Sequence, residues 1–318
     1  MWEFGFFRAL GLLVRTLPFL VYRAVVCLGI ALVLAFGAAT GALIGGLFAA
    51  VDGEATFAVW GALAGLLLVG GLIQTRRARL LYSLRARHIA LMVEALDHRP
   101  VPFSTGQFNL AGTLVATRFR DIEAFSALDR LISSVVRTAT RMVDGLLEGI
   151  LPVSILDRLV RGTGLHIWLA RPLIEAAILS HSLRTRSENA WEAAHDGLVL
   201  YTQNARAMMG TALWLQWVGW AIAGLVLLVA LGPAATLAAQ LPPVAGTATL
   251  LAVLIAGAVK AALYDPFAVA CMVRLHRQLT EGQEPLGEWR GRLTQVSDKF
   301  RQLGERALGW NAGREAGN

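Results

Sequence analysis

The sequence predicts an all-α, polytopic membrane protein with four transmembrane helices, both termini on the cytoplasmic side, and a helical cytoplasmic region between spans two and three. Three observations carry that prediction. Of the 318 residues, 56% are hydrophobic and only 16% are charged, and the mean hydropathy of +0.56 lies far from a soluble globular average. Residues 24–51, 55–75 and 207–259 contain no Asp, Glu, Lys or Arg, and about 20 apolar residues are enough to cross the hydrocarbon core. The basic residues, finally, are sorted to one side. The connection between spans one and two carries Asp52 and Glu54 and no base, and the 232–248 connection carries no charge. Arg8, Arg15, Arg76, Arg77, Arg79, Arg85, Arg87, Arg274 and Arg277 flank the opposite ends, where positive charge is retained in the cytoplasm.

The chain opens with residues 1–81, an interfacial helix followed by a transmembrane hairpin. Residues 2–17 carry aromatic residues suited to dipping into lipid and Arg8 and Arg15 suited to reaching head groups, the pattern of a helix lying in the head-group plane. No small-residue cleavage site follows it, which argues against a signal peptide. Spans one and two occupy residues 24–51 and 55–75. Gly37, Gly41 and Gly45 recur at intervals of four in the first, and Gly61 and Gly65 in the second. A bare strip of this kind lets backbones approach closely, either within the hairpin or at the interface of a homo-oligomer.

Residues 82–206 form the predicted cytoplasmic helices. The second span runs on as a helix until His98-Arg99-Pro100-Val101-Pro102, because proline and the residue before it resist helical continuation. A second helix carries an apolar stripe at Leu128, Leu131, Ile132, Val135, Val136, Met142, Val143, Leu146, Leu147 and Ile150. Residues 165–183 are nearly long enough to enter the bilayer, but Arg171, Pro172 and Glu175 make insertion costly and favour packing on the cytoplasmic face. Asn189 begins a capping box with Glu192. The helix it starts is expected to continue into the third span, with Trp214, Trp217 and Trp220 at head-group level.

Residues 207–275 make the second hairpin, with spans at 211–231 and 244–266. Gly232-Pro233 and Pro242-Pro243 mark the turn between them. Residues 276–318 are a cytoplasmic tail. The candidate site lies in the fourth span, at Lys260, Tyr264, Asp265 and Pro266. Counted from Pro243 at 1.5 Å per residue, Lys260 falls about 5 Å inside the cytoplasmic edge, within reach of the head groups. A lower seating puts it well inside lipid, where an ionisable residue marks a functional site. Five residues of ideal helix turn Asp265 about 140° away from Lys260. Pro266 breaks that regularity and offers a way for carboxylate and carbonyls to converge, as in the broken helices of transporters.

Other chemistry finds little support. Cys27 and Cys271 lie in apolar segments without partner spacing, so neither metal nor redox function is indicated. His88, His98, His166, His181, His195 and His276 form no HExxH, and no nucleophile elbow, P-loop or dinucleotide fingerprint occurs, so an enzyme and a cofactor are not expected. The net charge of +7 is spread along helices without a nucleic-acid module, and anionic head groups of the bilayer are the simpler partner. The excess of arginine over lysine points to a GC-rich bacterial genome and hence an inner membrane.

From residue 165 to 285 the order is an approach helix, the phrase AAHDGLVLYTQNARAMMGTALWL, a span, a short outer loop, a span, and FAVACMVRLHRQLTEGQEP. That order resembles the C-terminal half of the choline transporter-like family. The resemblance implies a membrane transport class. The chain lacks that family's extra spans and large extracellular loop, and no choline-binding residue carries over. Two functions are therefore expected: a small-solute or ion transporter or channel, or a non-transporting scaffold that binds lipid or recruits partners through its cytoplasmic helices. The topology is tested by cysteine labelling. Cysteines at Asp52 and Gly246 are expected to react with an impermeant reagent in intact cells, whereas external reaction of one at Ser187 defeats the four-span arrangement.

Overall fold

The computed structural model describes residues 5–52, 56–117, 122–142, 164–185, 189–240 and 245–315. Among them there are helices and no strands. In chain order these are α1 (Phe6–Arg15), α2 (Leu17–Asp52), α3 (Thr56–Leu96), α4 (Gly106–Ala116), α5 (Ile122–Met142), α6 (Leu165–Arg184), α7 (Ala190–Gln203), α8 (Ala205–Gln240) and α9 (Ala245–Val259). A π-helical turn (Lys260–Tyr264), α10 (Asp265–Thr280), α11 (Gly287–Val296) and α12 (Asp298–Glu315) complete the series. Four helical windows are long and apolar enough to cross a membrane: Leu17–Phe48, Thr56–Ile73, Ala205–Thr236 and Ala248–Thr280. The chain divides into two compact units, one of Met1–Pro18, Arg85–Gln216 and Phe267–Asn318, the other of Phe19–Leu84 and Trp217–Pro266. The latter, which holds the greater part of the apolar windows, is called the span unit below.

The span unit turns its large apolar side chains outward. Phe36, Leu67 and Val229 are 74%, 73% and 73% exposed, a disposition suited to lipid and costly in water. Its inward contacts are made by small residues. A Cβ added to Gly41 would stand 2.1 Å from the Gly61 carbonyl oxygen, one on Gly45 2.1 Å from that of Phe57, and one on Gly65 2.2 Å from that of Gly37. The two glycine strips thus face each other within the hairpin, where dispersion between close backbones replaces the hydrophobic drive that lipid does not provide. Ala234, Ala248 and Ala252 make the corresponding small-residue contact between α8 and α9.

The other unit is packed the opposite way. Leu128, Ile132 and Val136 of α5, Ile174 and Ile178 of α6, and Phe300 of α12 are almost wholly buried, each large side chain contributing about 1.5–3 kcal/mol by leaving water. The remainder of the predicted α5 stripe, Val143, Leu146, Leu147 and Ile150, lies outside the described residues. Helix α6 is absent from the four spanning windows, and the charges of Arg171 and Glu175 in its first half are met locally. Ser133 donates to Glu175 at 2.5 Å, Arg85 donates to the Pro172 carbonyl, and Arg171 lies 3.2 Å from Glu175, within ion-pair range but not aligned for a hydrogen bond. Helix α1 buries Ala9, Leu12 and Leu13 and leaves Phe6, Phe7, Leu10 and Val14 exposed. Gly5 precedes it with φ +51 and lies against Arg274, whose guanidinium donates to the Gly5 carbonyl at 3.0 Å.

Helix ends follow the sequence in two places and depart from it in two. Helix α3 stops after Leu96, with His98 in the left-handed region at φ 56, before the predicted Pro100-Pro102 stop. Asn189 caps α7 by accepting from the amides of Trp191 and Glu192, both at 3.2 Å, while its own amide donates to the Ala307 carbonyl at 2.8 Å. The predicted turn at Gly232-Pro233 is not one: α8 runs on through Pro233 to Gln240, a proline costing one ladder bond that surrounding helix can absorb. Pro242 and Pro243 lie outside the described residues. Nor does α7 flow into the third span. Asn204 interrupts it, and its side-chain amide donates to the Leu200 carbonyl at 3.0 Å and to Gln283 at 2.8 Å.

Gly41→Leu should therefore destabilise the hairpin by at least about 1–3 kcal/mol, the usual cost of overpacking. Gly46→Ala, where an added Cβ meets nothing within 4 Å, should be neutral or stabilising by up to ~1 kcal/mol. Unfolding in detergent micelles measures both, and equal effects at the two positions would count against the packing argument.

Candidate functional site

The fourth span is not a uniform α-helix. At its centre the amide of Asp265 donates to the carbonyl of Lys260, a five-residue rung, and Lys260–Tyr264 is a π turn. The cause is one residue further on. A proline ring collides with the carbonyl four residues earlier and has no N–H to offer. Widening the turn relieves the collision, and the next rung would run from position 266 to Ala261. Pro266 cannot supply it. Arg23 of α2 does so instead, its Nε donating to the Ala261 oxygen at 3.3 Å.

The same widening corrects the ideal-helix geometry of Lys260 and Asp265. In a π turn, residues five apart stand one above the other, and Lys260 Nζ donates to Asp265 Oδ1 at 2.7 Å. The ammonium also lies 5.1 Å from the ring centroid of Trp220 on α8, within cation–π range. Gly219 provides the opening: an added Cβ there would stand 2.5 Å from the Tyr264 ring and 3.2 Å from Lys260 Cε. Lys260 is 9% exposed, and Lys260, Tyr264 and Asp265 are thus gathered with Arg23, Gly219 and Trp220 in one cluster. Pro266 is its architect rather than a contact. The five glycines belong to the packing of α2 on α3 and contribute nothing to it.

Sequence reasoning missed Arg23, Gly219 and the role of Trp220. Arg23 had a signal, since it is the last base before a long uncharged run. For Gly219 and Trp220 the decisive fact is proximity across some forty residues of chain, which no local pattern encodes.

Outside the span unit, buried polar groups concentrate around two histidines. His181 of α6 and His276 of α10 stack edge to face with centroids 5.5 Å apart, and His181 Nδ1 and His276 Nε2 are buried without a hydrogen-bond partner. Nearby, Arg277 donates to Asp97 at 2.8 Å and Arg184 to Thr280 at 3.4 Å. Burial, assisted by Arg184 and opposed by Asp196, lowers the His181 pKa from 6.5 to about 4. Burial likewise raises the Tyr201 phenol above its ordinary value, so the hydroxyl that meets Thr140 at 2.8 Å stays protonated. A groove of about 730 Å³ is open to the exterior and lined by Arg87, Phe108, Asn109, Gly112, Thr113, Ala116 and Thr117. It brings one cation and no acid together, a poorer basis for specific binding than the Lys260 cluster.

No protein-family model matches the sequence, and neither does any curated protein or solved structure.

His181 gives a pH prediction with a definite sign. Unfolded, it takes up a proton near pH 6.5; folded, only near pH 4. Between those values the unfolded chain holds more protons, so stability falls as pH falls, by at most about 3 kcal/mol over the window. Denaturation measured from pH 7 to 4.5 should show that slope, and His181→Gln should make it shallower. An unchanged slope in the variant removes His181 from the account.

Proposed function

We propose that this chain is an integral protein of a bacterial cell membrane that moves a small solute or ion, with the Lys260 cluster as its working site. The supporting observation is the Lys260–Asp265 ion pair, set at a π turn in a membrane-spanning helix. Charges inside spans are rare and tend to mark ion or substrate pathways, and π turns inserted into helices recur at functional sites. The likeness of residues 165–285 to the choline transporter-like family points to the same broad class. The scaffold alternative draws on α1, whose exposed Phe6, Phe7, Leu10 and Val14 precede the first span directly and suit a helix lying among head groups.

Flux separates the two readings. In proteoliposomes containing the purified protein, Lys260→Arg should lower flux about tenfold or more, corresponding to ~1.4 kcal/mol. The Lys260 side chain lies against Gly219 and its ammonium over the Trp220 ring, and the planar fork of arginine does not reproduce a compact point charge there. Asp265→Asn should impair flux comparably. Wild-type flux in both variants at wild-type expression, or no solute flux in the parent, favours the scaffold.

A further inference from the structure

We infer that Arg8 and Arg274 together hold the phosphodiester head group of one anionic lipid, with Phe6 and Phe7 lying along its acyl chains. The site does not depend on whether the protein moves a solute, since it is a contact with the bilayer itself.

Charge is the first ground. Arg274 of α10 reaches the start of α1, where its guanidinium donates to the Gly5 carbonyl at 3.0 Å. That carbonyl also accepts from the backbone amide of Arg8 at 2.9 Å. The two arginines thus meet at one turn, close enough for their positive charges to act on each other. Arg277, three residues beyond Arg274, is paired with Asp97 at 2.8 Å; neither Arg8 nor Arg274 forms an ion pair among the described residues. Like charges side by side repel, and more strongly where water is scarce. An anion that touches both removes the repulsion. A guanidinium carries five N–H donors in a planar fork that matches phosphate oxygens, and the Gly5 carbonyl occupies only part of the Arg274 fork.

Position along the chain is the second ground. Helix α1 ends just before Leu17, where the first spanning window begins, and Arg274 lies in the last two turns of the fourth, Ala248–Thr280. Both arginines therefore stand at the ends of spans, the level at which basic side chains meet anionic head groups. The third ground decides between a lipid and a free phosphate. Phe6 and Phe7, in the same first turn of α1, are 54% and 83% exposed, and the Phe6 ring also packs on Phe267 of α10 at 5.1 Å. A soluble phosphate leaves these rings in water, whereas a lipid brings an anionic head for the arginines and apolar chains for the rings.

Phosphatidylglycerol is the probe, added to the full chain stripped of lipid in micelles of an uncharged detergent. It should raise Tm saturably, whereas phosphatidylcholine, whose choline cancels the phosphate charge, should not. Arg8→Gln and Arg274→Gln should each raise the half-saturating lipid concentration about tenfold or more, the loss expected of a charge-assisted hydrogen bond. Arg15→Gln removes the same charge two turns along α1 and should leave that concentration within about twofold, as befits a diffuse surface charge. Equal weakening by Arg15→Gln means diffuse attraction and overturns the site, as does a Tm that phosphatidylglycerol fails to raise. Inorganic phosphate that reproduces the saturable rise overturns the lipid as ligand. Should Arg274→Gln not fold, having also lost its bond to Gly5, Arg8→Gln carries the test, because Arg8 is exposed. Phosphorus magnetic resonance in nanodiscs then decides. Saturable broadening of the phosphatidylglycerol signal by the wild type, lost in Arg8→Gln, supports the site, and equal broadening by both, or none by either, overturns it.

Discussion

Within a bilayer, no water is present to satisfy an exposed peptide group, and each backbone donor and acceptor must find its partner inside the protein. Pro266 violates that requirement by construction. The arrangement around the Lys260 cluster follows from how the violation is repaired. The ring forces the preceding turn wide, the wide turn changes the register from four residues to five, and the register change aligns Lys260 with Asp265. The carbonyl orphaned by the proline is then met by Arg23 from another span. A single missing N–H thus links one helix break, one ion pair and one interhelical hydrogen bond.

The two compact units illustrate how the solvent dictates packing. In the span unit, large side chains have nothing to gain by turning inward, because lipid tails are as apolar as they are. Helices associate where small residues permit contact, and Gly41 meets Gly61 through backbone atoms. In the other unit, Leu128, Ile174 and Phe300 turn inward, since there burial removes apolar surface from water. The same residue types therefore occupy opposite positions. A glycine at intervals of four is a cohesive device in the first setting and would be a liability in the second.

How far the sequence could be read depended on whether the cause was local. The number of spans, the stop after Leu96 and the Asn189 cap all rest on composition or on residues within a few positions of each other. Proline was readable as a disturbance, but not in its outcome. At Pro233 the helix absorbs it and continues to Gln240, while at Pro266 it shifts the register. The distinction lies in what surrounds each proline, and that is tertiary information. The break at Asn204 was not legible, because the side-chain bond to Gln283 that accompanies it spans nearly eighty residues. His181 and His276 belong to no local motif, and only the fold places their rings 5.5 Å apart.

The side chain at position 260 is set apart by its type. This chain uses arginine almost everywhere and has two lysines, Lys260 and Lys299. Lys299 lies on the exposed face of α12 beside Gln302, so rarity alone confers no special role. The contrast within the cluster is more informative. Arg23 donates to the Ala261 carbonyl of another helix at 3.3 Å, a task suited to a long side chain with several donors. Lys260 lies over the Trp220 ring, where Gly219 leaves room for its Cε and for the Tyr264 ring, a setting suited to a compact ammonium. Arginine and lysine thus divide the work by shape.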